Sequence, residues 1–430
     1  MEEILSEKNN YKRKIWFLNS SAYMPEDGPH IRHYSFGKYL ARMGYEPYIF
    51  SSNELHHAVR TIDTGNKDYV EKVSDGVHFF YVKTYHYDRN DYKRLLNILS
   101  YPLSVSKVSR IIEKQYGAPD VIYASNLNPN TLTLGLRLAK RYGVKCICEN
   151  RDIFPDCYVT SGALNENSLF VKAARFYMKS IYEKAAALVF TMSGGQQYIS
   201  DMGWDKAHGG KIDLDRVYYI NNGVDLEEAE KNRESFILPD KDLDDPSIFC
   251  VVYMGAIRFL NKMPLFIEAA EELKRKGKTN IHILMWGAGT KVEEMKQQLK
   301  ERGLDNLILK GYADKKYVPG IAARADLFIG TGNSSIMKYG ISFNKLFDYF
   351  AAGKPIILPF KVGNSIVEAN GAGIEMDETN GKSLADEIIR FANMDKSEYD
   401  VYCEHSKALA EEFSYEKLSR QLDDILKEYV

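Results

Sequence analysis

Residues 14–43, KIWFLNSSAYMPEDGPHIRHYSFGKYLARM, read as a strand, a loop and a helix in that order. Lys14–Ser21 is the short apolar run of a strand buried on both faces. The loop carries Pro25, Gly28 and Pro29, and a helix follows from about Ile31 to Met43. Outward from this stretch the alternation continues. Strands are expected at Pro47–Ser51, Val77–Lys83, Asp120–Ala124, Lys145–Glu149, Ala187–Thr191 and Val217–Ile220, with helices between most of them. Strands separated by helical segments pair in parallel and carry helices on both faces, so the fold class is α/β with a doubly wound parallel sheet.

A second series of the same kind opens at Phe249–Gly255 (FCVVYMG). It continues through a helix near Lys262–Lys276 and strands at His282–Trp286, Leu307–Leu309, Asp326–Ile329 and Pro355–Pro359. Between the two series lie Pro239, Asp240, Asp242, Asp244, Asp245 and Pro246, a stretch too polar to pack well, and a linker is expected there. A chain of 430 residues, 45% hydrophobic, suits two cores rather than one. The expected domains are residues 1–223 and 224–412, with a terminal helix at about 413–430 crossing back onto the first.

The balance of 57 basic against 59 acidic residues, net charge −2, gives no electrostatic reason to expect nucleic acid as a partner; any anion binding must be local. The opening MEEILSEKNNYKRK lacks the apolar centre of a secretory signal, and no uninterrupted apolar run is long enough to span a bilayer, so a cytoplasmic protein is expected. The five cysteines read as reduced, mostly buried thiols, with Cys146 and Cys148 on one face of a strand. The 30 tyrosines are explained mostly by core and rim packing.

Several groups could carry chemistry. Gly28, His30, Arg32 and His33 follow the first strand, where parallel sheets bind ligands, but they do not form G-x-G-x-x-G, which argues against a dinucleotide site. Glu149, Asn150, Arg151 and Asp152, with Pro155, set two carboxylates around an arginine at a strand end. Such a carboxylate can orient an acceptor hydroxyl or take its proton, or Asp152 can simply cap a helix. Arg258 and Lys262 follow Gly255 and suit a diphosphate leaving group. Gly287-Ala288-Gly289-Thr290 makes a glycine turn after HILMW that could face a nucleotide. In KYGISFNKLFDYFAAGKP (Lys338–Pro355), Ser342 is the expected N-cap and Gly353 the stop. The helix start, with Asn344 and Lys345, favours phosphate oxygens, and Asp348 could receive ribose hydroxyls.

Taken together, these segments resemble the retaining glycosyltransferases of family 4 with the GT-B fold, especially bacterial enzymes that build surface polysaccharides. The resemblance rests on MPEDGPHIRHYSFGKYLARMGYEPYIF, ENRDIFP, YINNGVD, YMGAIRFLNK, GYADKKYVPGIAARADLFI and GISFNKLFDYFAAGKPI, which together span nearly the whole chain. It implies two Rossmann-like domains facing a cleft, the first on the acceptor side and the second binding the donor. Arg258 and Lys262 would hold the donor diphosphate beside Asn344 and Lys345, and Gly287 would line the donor site. Asp348 would match the second acid of the Glu-x7-Glu pattern, the Gly28 loop would close over the phosphates, and Asp152 would face the reacting sugar. His30, Arg32 and Glu149 would lie on the acceptor side. The first acid of that pattern should fall at 340, where this chain has Gly340, and the second is Asp rather than Glu.

The implied reaction moves a sugar, hexosyl or N-acetylhexosaminyl, from a nucleoside diphosphate donor to a saccharide or lipid-linked saccharide with retention. It needs no metal or cofactor, and UDP is the commonest nucleotide of the family. Two basic amphipathic segments, Tyr92 to Arg110 and Phe170 to Lys184, suit peripheral contact with the inner face of a membrane. The alternatives are a UDP-sugar epimerase of the same fold and a degenerate sugar-nucleotide-binding scaffold subunit.

Overall fold

The structure, a computed structural model, describes residues 12–55, 61–87, 92–126, 129–258, 262–332, 334–377 and 379–430. Most of the charged opening segment, residues 1–11, lies outside these, as do Phe259, Leu260 and Asn261 of the YMGAIRFLNK segment. The chain divides into two compact units, Met1–Asn221 with Tyr415–Val430, and Asn222–Ser414.

The first unit is built on β1 (Lys14–Leu18), β2 (Glu46–Ser52), β3 (Tyr69–Ser74), β4 (Val77–Val82), β5 (Val121–Asn126), β6 (Lys145–Asn150), β7 (Ala187–Phe190) and β8 (Val217–Tyr219). They form one sheet in the order 3-4-2-1-5-6-7-8, parallel except for the β3–β4 pair. Ile15 to Leu18 of β1 are wholly buried, as a central strand with helices on both faces requires. The terminal helix Tyr415–Tyr429 packs on helix Arg32–Arg42 of this unit. There Tyr415 meets Phe36 edge-on at 5.6 Å, and Tyr45 donates to Asp423 at 2.7 Å.

The edge strand β3 was not foreseen from the sequence. Its mark is the pair Asp75-Gly76, whose φ values of 51° and 76° suit a tight hairpin turn into β4.

The second unit contains β9 (Phe249–Met254), β10 (Ile281–Trp286), β11 (Leu307–Gly311), β12 (Leu327–Ile329), β13 (Ile356–Leu358) and β14 (Gly373–Glu375), all parallel, in the order 11-10-9-12-13-14. In both sheets the winding reverses beside the first strand, between β1 and β5 and between β9 and β12. Doubly wound sheets bind ligands outside the carboxyl ends of the strands at such points.

The polar stretch 239–246 is not a free linker. Asp240 and Asp242 grip the Lys310 ammonium at 2.6 and 2.5 Å, Asp242 also contacts His282 Nδ1 at 3.0 Å, and Asp244 pairs with Arg324 at 2.5 Å. Three of the acids that argued against packing therefore dock the stretch onto the second unit, and the division between units falls at Asn221–Asn222. No helix among the described residues is long and apolar enough to cross a membrane.

Candidate functional site

The C-terminal edge of the second sheet gathers most of the expected donor residues. The chain leaves β9 through Gly255 and β10 through Gly287, and the two loops lie backbone against backbone. Gly255 N–H donates to Trp286 O at 2.9 Å and Ile257 N–H to Ala288 O at 3.0 Å. A Cβ on Gly287 would sit 1.8 Å from Gly255 O, so only glycine permits this approach.

Arg258 follows on the same loop and is exposed, while Lys262 starts helix Met263–Arg275 in the left-handed region, φ 49° and ψ 44°. A lysine there is held in a strained backbone, a feature that clusters at ligand sites.

Helix Asn344–Ala352 is anchored over both switch-point strands. Tyr349 stacks on Phe328 of β12 with centroids 3.9 Å apart, and its hydroxyl accepts from Met254 N–H of β9 at 2.9 Å. This anchoring carries the Lys345 ammonium to Tyr253 Oη of β9 at 3.3 Å and to Thr331 Oγ1, just past β12, at 3.5 Å; it also lies 4.4 Å from the Tyr253 ring centre. Lys345 therefore stands over the reversal point.

Ser342 does not cap this helix. Phe343 holds the N-cap position with no side-chain bond, and Ser342 instead accepts from Asn222, its carbonyl from the amide at 2.9 Å. Gly353 does end the helix, at φ 64°.

Among the described residues Arg258, Lys262 and Lys345 take part in no ion pair, whereas Lys310, Arg324 and Lys315 of the same unit all do. Lys315, overlooked in the sequence, takes both oxygens of Asp348 at 2.6 and 2.5 Å. Gly340, where the family pattern expects an acid, has φ 102°, a conformation that L side chains rarely adopt. No three His, Cys, Asp or Glu side chains converge as metal ligands among the described residues.

At the reversal point of the first sheet lies a closed network around Glu149. Its carboxylate accepts from Arg32 Nε at 2.9 Å, Tyr123 Oη at 2.7 Å and Ser125 Oγ at 2.6 Å, and meets His33 Nε2 at 3.0 Å. Arg32 also donates to the carbonyls of Ile220, at 2.8 Å, and Asn221. Burial alone would raise the Glu149 carboxyl, but the Arg32 guanidinium, with His33, outweighs it and holds the group well below the usual carboxylate range. Burial dominates at His33 and lowers it, against the opposing pull of Glu149. A neutral ring fits both contacts, with Nε2–H donating to Glu149 and Nδ1 accepting from Asn19 Nδ2 at 3.0 Å.

Arg32 and Glu149, expected on the acceptor side, are thus sealed and committed to each other. Neither presents a side chain to a ligand in this structure. Nothing local in the sequence signals their proximity, because the network draws on separate segments: Arg32 and His33, Tyr123 and Ser125, Glu149, and Ile220 and Asn221.

His30 stacks on Tyr23 with centroids 5.1 Å apart, closing a loop in which Tyr23 N–H donates to His30 O at 3.0 Å. Gly28 faces that ring, since a Cβ there would lie 2.5 Å from Tyr23. Asp152, just past β6, is exposed and is not a helix cap; Pro155 precedes helix Asp156–Thr160. Enough protein surrounds Asp152 to raise its carboxyl above the ordinary range, with Arg151 pulling the other way. The five cysteines are free thiols.

Residues 240–407 match the family model of glycosyl transferases group 1. Solved structures similar along nearly the whole chain include sucrose-phosphate synthase from Thermosynechococcus elongatus, with TM-score 0.69, 15% identity, and 97% of this chain and 99% of that one covered. They include Anabaena HepE in complex with UDP and glucose, at 0.63 and 15% over 96% and 99%. They also include alpha,alpha-trehalose 6-phosphate synthase from Burkholderia multivorans, at 0.67 and 11% over 97% and 99%. The chain has the GT-B fold. The GT-B second unit carries the group 1 glycosyl transferase match. At such identities the structures speak for fold, and a search of curated protein sequences finds no match.

Proposed function

We propose that this GT-B chain is a retaining, metal-independent glycosyltransferase of family 4. It moves a hexosyl or N-acetylhexosaminyl group from a nucleoside diphosphate sugar, with UDP favoured, to a saccharide or lipid-linked saccharide. The setting would be surface polysaccharide synthesis at the inner face of the membrane. One observation carries the reading: Arg258, Lys262 and Lys345, which form no ion pair among the described residues, follow the carboxyl ends of strands of the second sheet, Lys345 at a helix start beside Tyr253 and Thr331. Three cations without a counter-charge among the described residues, set at the carboxyl edge of the sheet where its winding reverses, are suited to a diphosphate. The complexes of Anabaena HepE with UDP and glucose support the choice of UDP by analogy of fold.

In this reading Arg258 and Lys262 stabilise the charge that grows on the diphosphate as the anomeric carbon–oxygen bond breaks. Lys345 and Asn344 hold phosphate oxygens, Gly287 and the Gly28 loop admit close approach of the backbone, and Asp348 receives the ribose. Asp152 orients the acceptor hydroxyl, whose oxygen bonds the anomeric carbon on the face the diphosphate leaves while its proton passes to the departing diphosphate oxygen. His30 lies on the acceptor side, with Arg32 and Glu149 holding the scaffold beneath it.

Calorimetric titration of the full chain with UDP, GDP, ADP and their sugar conjugates, without added metal, tests the proposal. Binding of one nucleotide series is expected, with slow release of free sugar. No binding to any of them would make the chain a degenerate scaffold, and recovery of an epimerised nucleotide sugar would make it an epimerase.

A further inference from the structure

We propose that the β3–β4 hairpin clamps the loop of residues 22–31, with Asp27, Tyr81 and Lys72 as positioning residues that hold this loop in shape for the donor phosphates. The inference rests on the transferase reading, in which the Gly28 loop meets the donor, and gives a role to residues which that reading leaves unused. The strand register sets the arrangement. Ser51 of β2 pairs with Tyr81 of β4, Tyr81 pairs with Val70 of β3, and Lys72 follows Val70 by two residues, so Ser51, Tyr81 and Lys72 share one face of the sheet. Each of them reaches the loop.

Ser51 Oγ donates to Ala22 O at 2.7 Å. The Tyr81 hydroxyl bridges the turn that follows, accepting from Met24 N–H at 3.2 Å and donating to Asp27 Oδ2 at 2.6 Å. The same carboxylate oxygen takes the Lys72 ammonium at 2.8 Å, and that ammonium also reaches Glu26 at 3.3 Å. Within the turn Asp27 N–H and Gly28 N–H both donate to Met24 O, at 2.9 and 3.3 Å. A lysine on an edge strand ordinarily keeps that edge in solvent. Lys72 instead turns its charge onto a carboxylate that is only 1% exposed. A buried acid held by one charged and one neutral donor is a fixed point, and Gly28, set against the Tyr23 ring, follows it directly in the chain. The hairpin is tied to the helix beyond the loop as well, where Tyr34 donates to Asp75 Oδ2 at 2.5 Å.

Amide hydrogen exchange, steady-state kinetics and calorimetry with UDP on the full chain test this. Lys72→Met removes the cation at a partly exposed edge position, and Tyr81→Phe removes the bridging hydroxyl while keeping the ring in the core. Each should speed exchange of the Tyr23, Asp27 and Gly28 amides at least about tenfold, with the amides of β1 unchanged. Each should lower kcat for transfer from the nucleotide sugar roughly tenfold, because a displaced loop costs alignment, while UDP affinity stays within about twofold of the parent. Lys72→Arg keeps the charge and should restore most of both effects. Loop exchange equal to the parent's in both variants overturns the clamp. Faster loop exchange at parental kcat overturns its role toward the donor, and so does a loss of UDP affinity equal to the loss of kcat. A parent that binds no nucleotide overturns the transferase reading, and the donor role with it, whatever the exchange shows.

Discussion

Lys315 and Asp348 form a two-point ion pair, one ammonium between two carboxylate oxygens at 2.6 and 2.5 Å. Asp348 lies one turn beyond Lys345 on the same helix, so the pair fixes where the carboxylate points relative to that lysine. Such a half-exposed pair contributes little stability, about 1 kcal/mol at most, and its consequence is orientation. Asp348→Asn should therefore raise KM for the nucleotide sugar roughly tenfold with kcat nearly unchanged, and Lys315→Met should shift it the same way by less. Steady-state kinetics decide this, and an unmoved KM in both variants would remove Asp348 from the ribose site.

Lys262 should act on turnover rather than on donor affinity. Its αL backbone is a cost that the fold tolerates at the foot of helix Met263–Arg275. Removing a cation that meets charge only as it develops typically costs about 2–4 kcal/mol of barrier. Lys262→Ala should lower kcat at least roughly tenfold with little change in stability; turnover equal to the parent would place the leaving group elsewhere.

These residues also show what the sequence makes legible. Strands such as KIWFL and FCVVYM stand out because both faces are buried, and the paired series of them announces two doubly wound sheets. The Gly287 turn and the Lys345 helix start are local features and were equally visible. β3 was not, since YVEKVS at a sheet edge has neither an apolar run nor clear alternation. Nor were the contacts that decide what a charge is for. Lys315 reaches Asp348 across 33 residues and Arg32 reaches Glu149 across 117, so Glu149, a strand-end carboxylate with an acceptor-like look, is sealed while Asp152 three residues on is exposed. Asp242 likewise looked like linker and is buried under Lys310.

Gly340 is a glycine for reasons of backbone, and restoring the acid of the family pattern should not help. At φ 102° any side chain strains the turn that leads to the Asn344 helix, by roughly 1–2 kcal/mol or more. Gly340→Glu should lower the melting temperature and should not raise transferase activity. A gain in activity at unchanged stability would show that the missing carboxylate matters and that the turn adapts.

The Glu149 network makes stability depend on acid in a defined direction. His33 is lowered by burial from its ordinary 6.5, so below that pH the unfolded chain binds a proton that the folded one refuses. Glu149, lowered from 4.5 mainly because Arg32 outweighs the effect of burial, adds a second such proton at lower pH. Both shifts stabilise the fold fully above the unfolded values and lose that contribution as pH falls. Urea denaturation should therefore show little change from pH 8 to 7, then a decline approaching about 1.4 kcal/mol per pH unit below 6.5, steepening below 4.5. Glu149→Gln leaves the buried Arg32 charge uncompensated and should cost roughly 3–5 kcal/mol at neutral pH while flattening the decline below 4.5. If the variant denatures like the parent across the whole range, Glu149 does not carry the Arg32 charge and the hub has been misassigned.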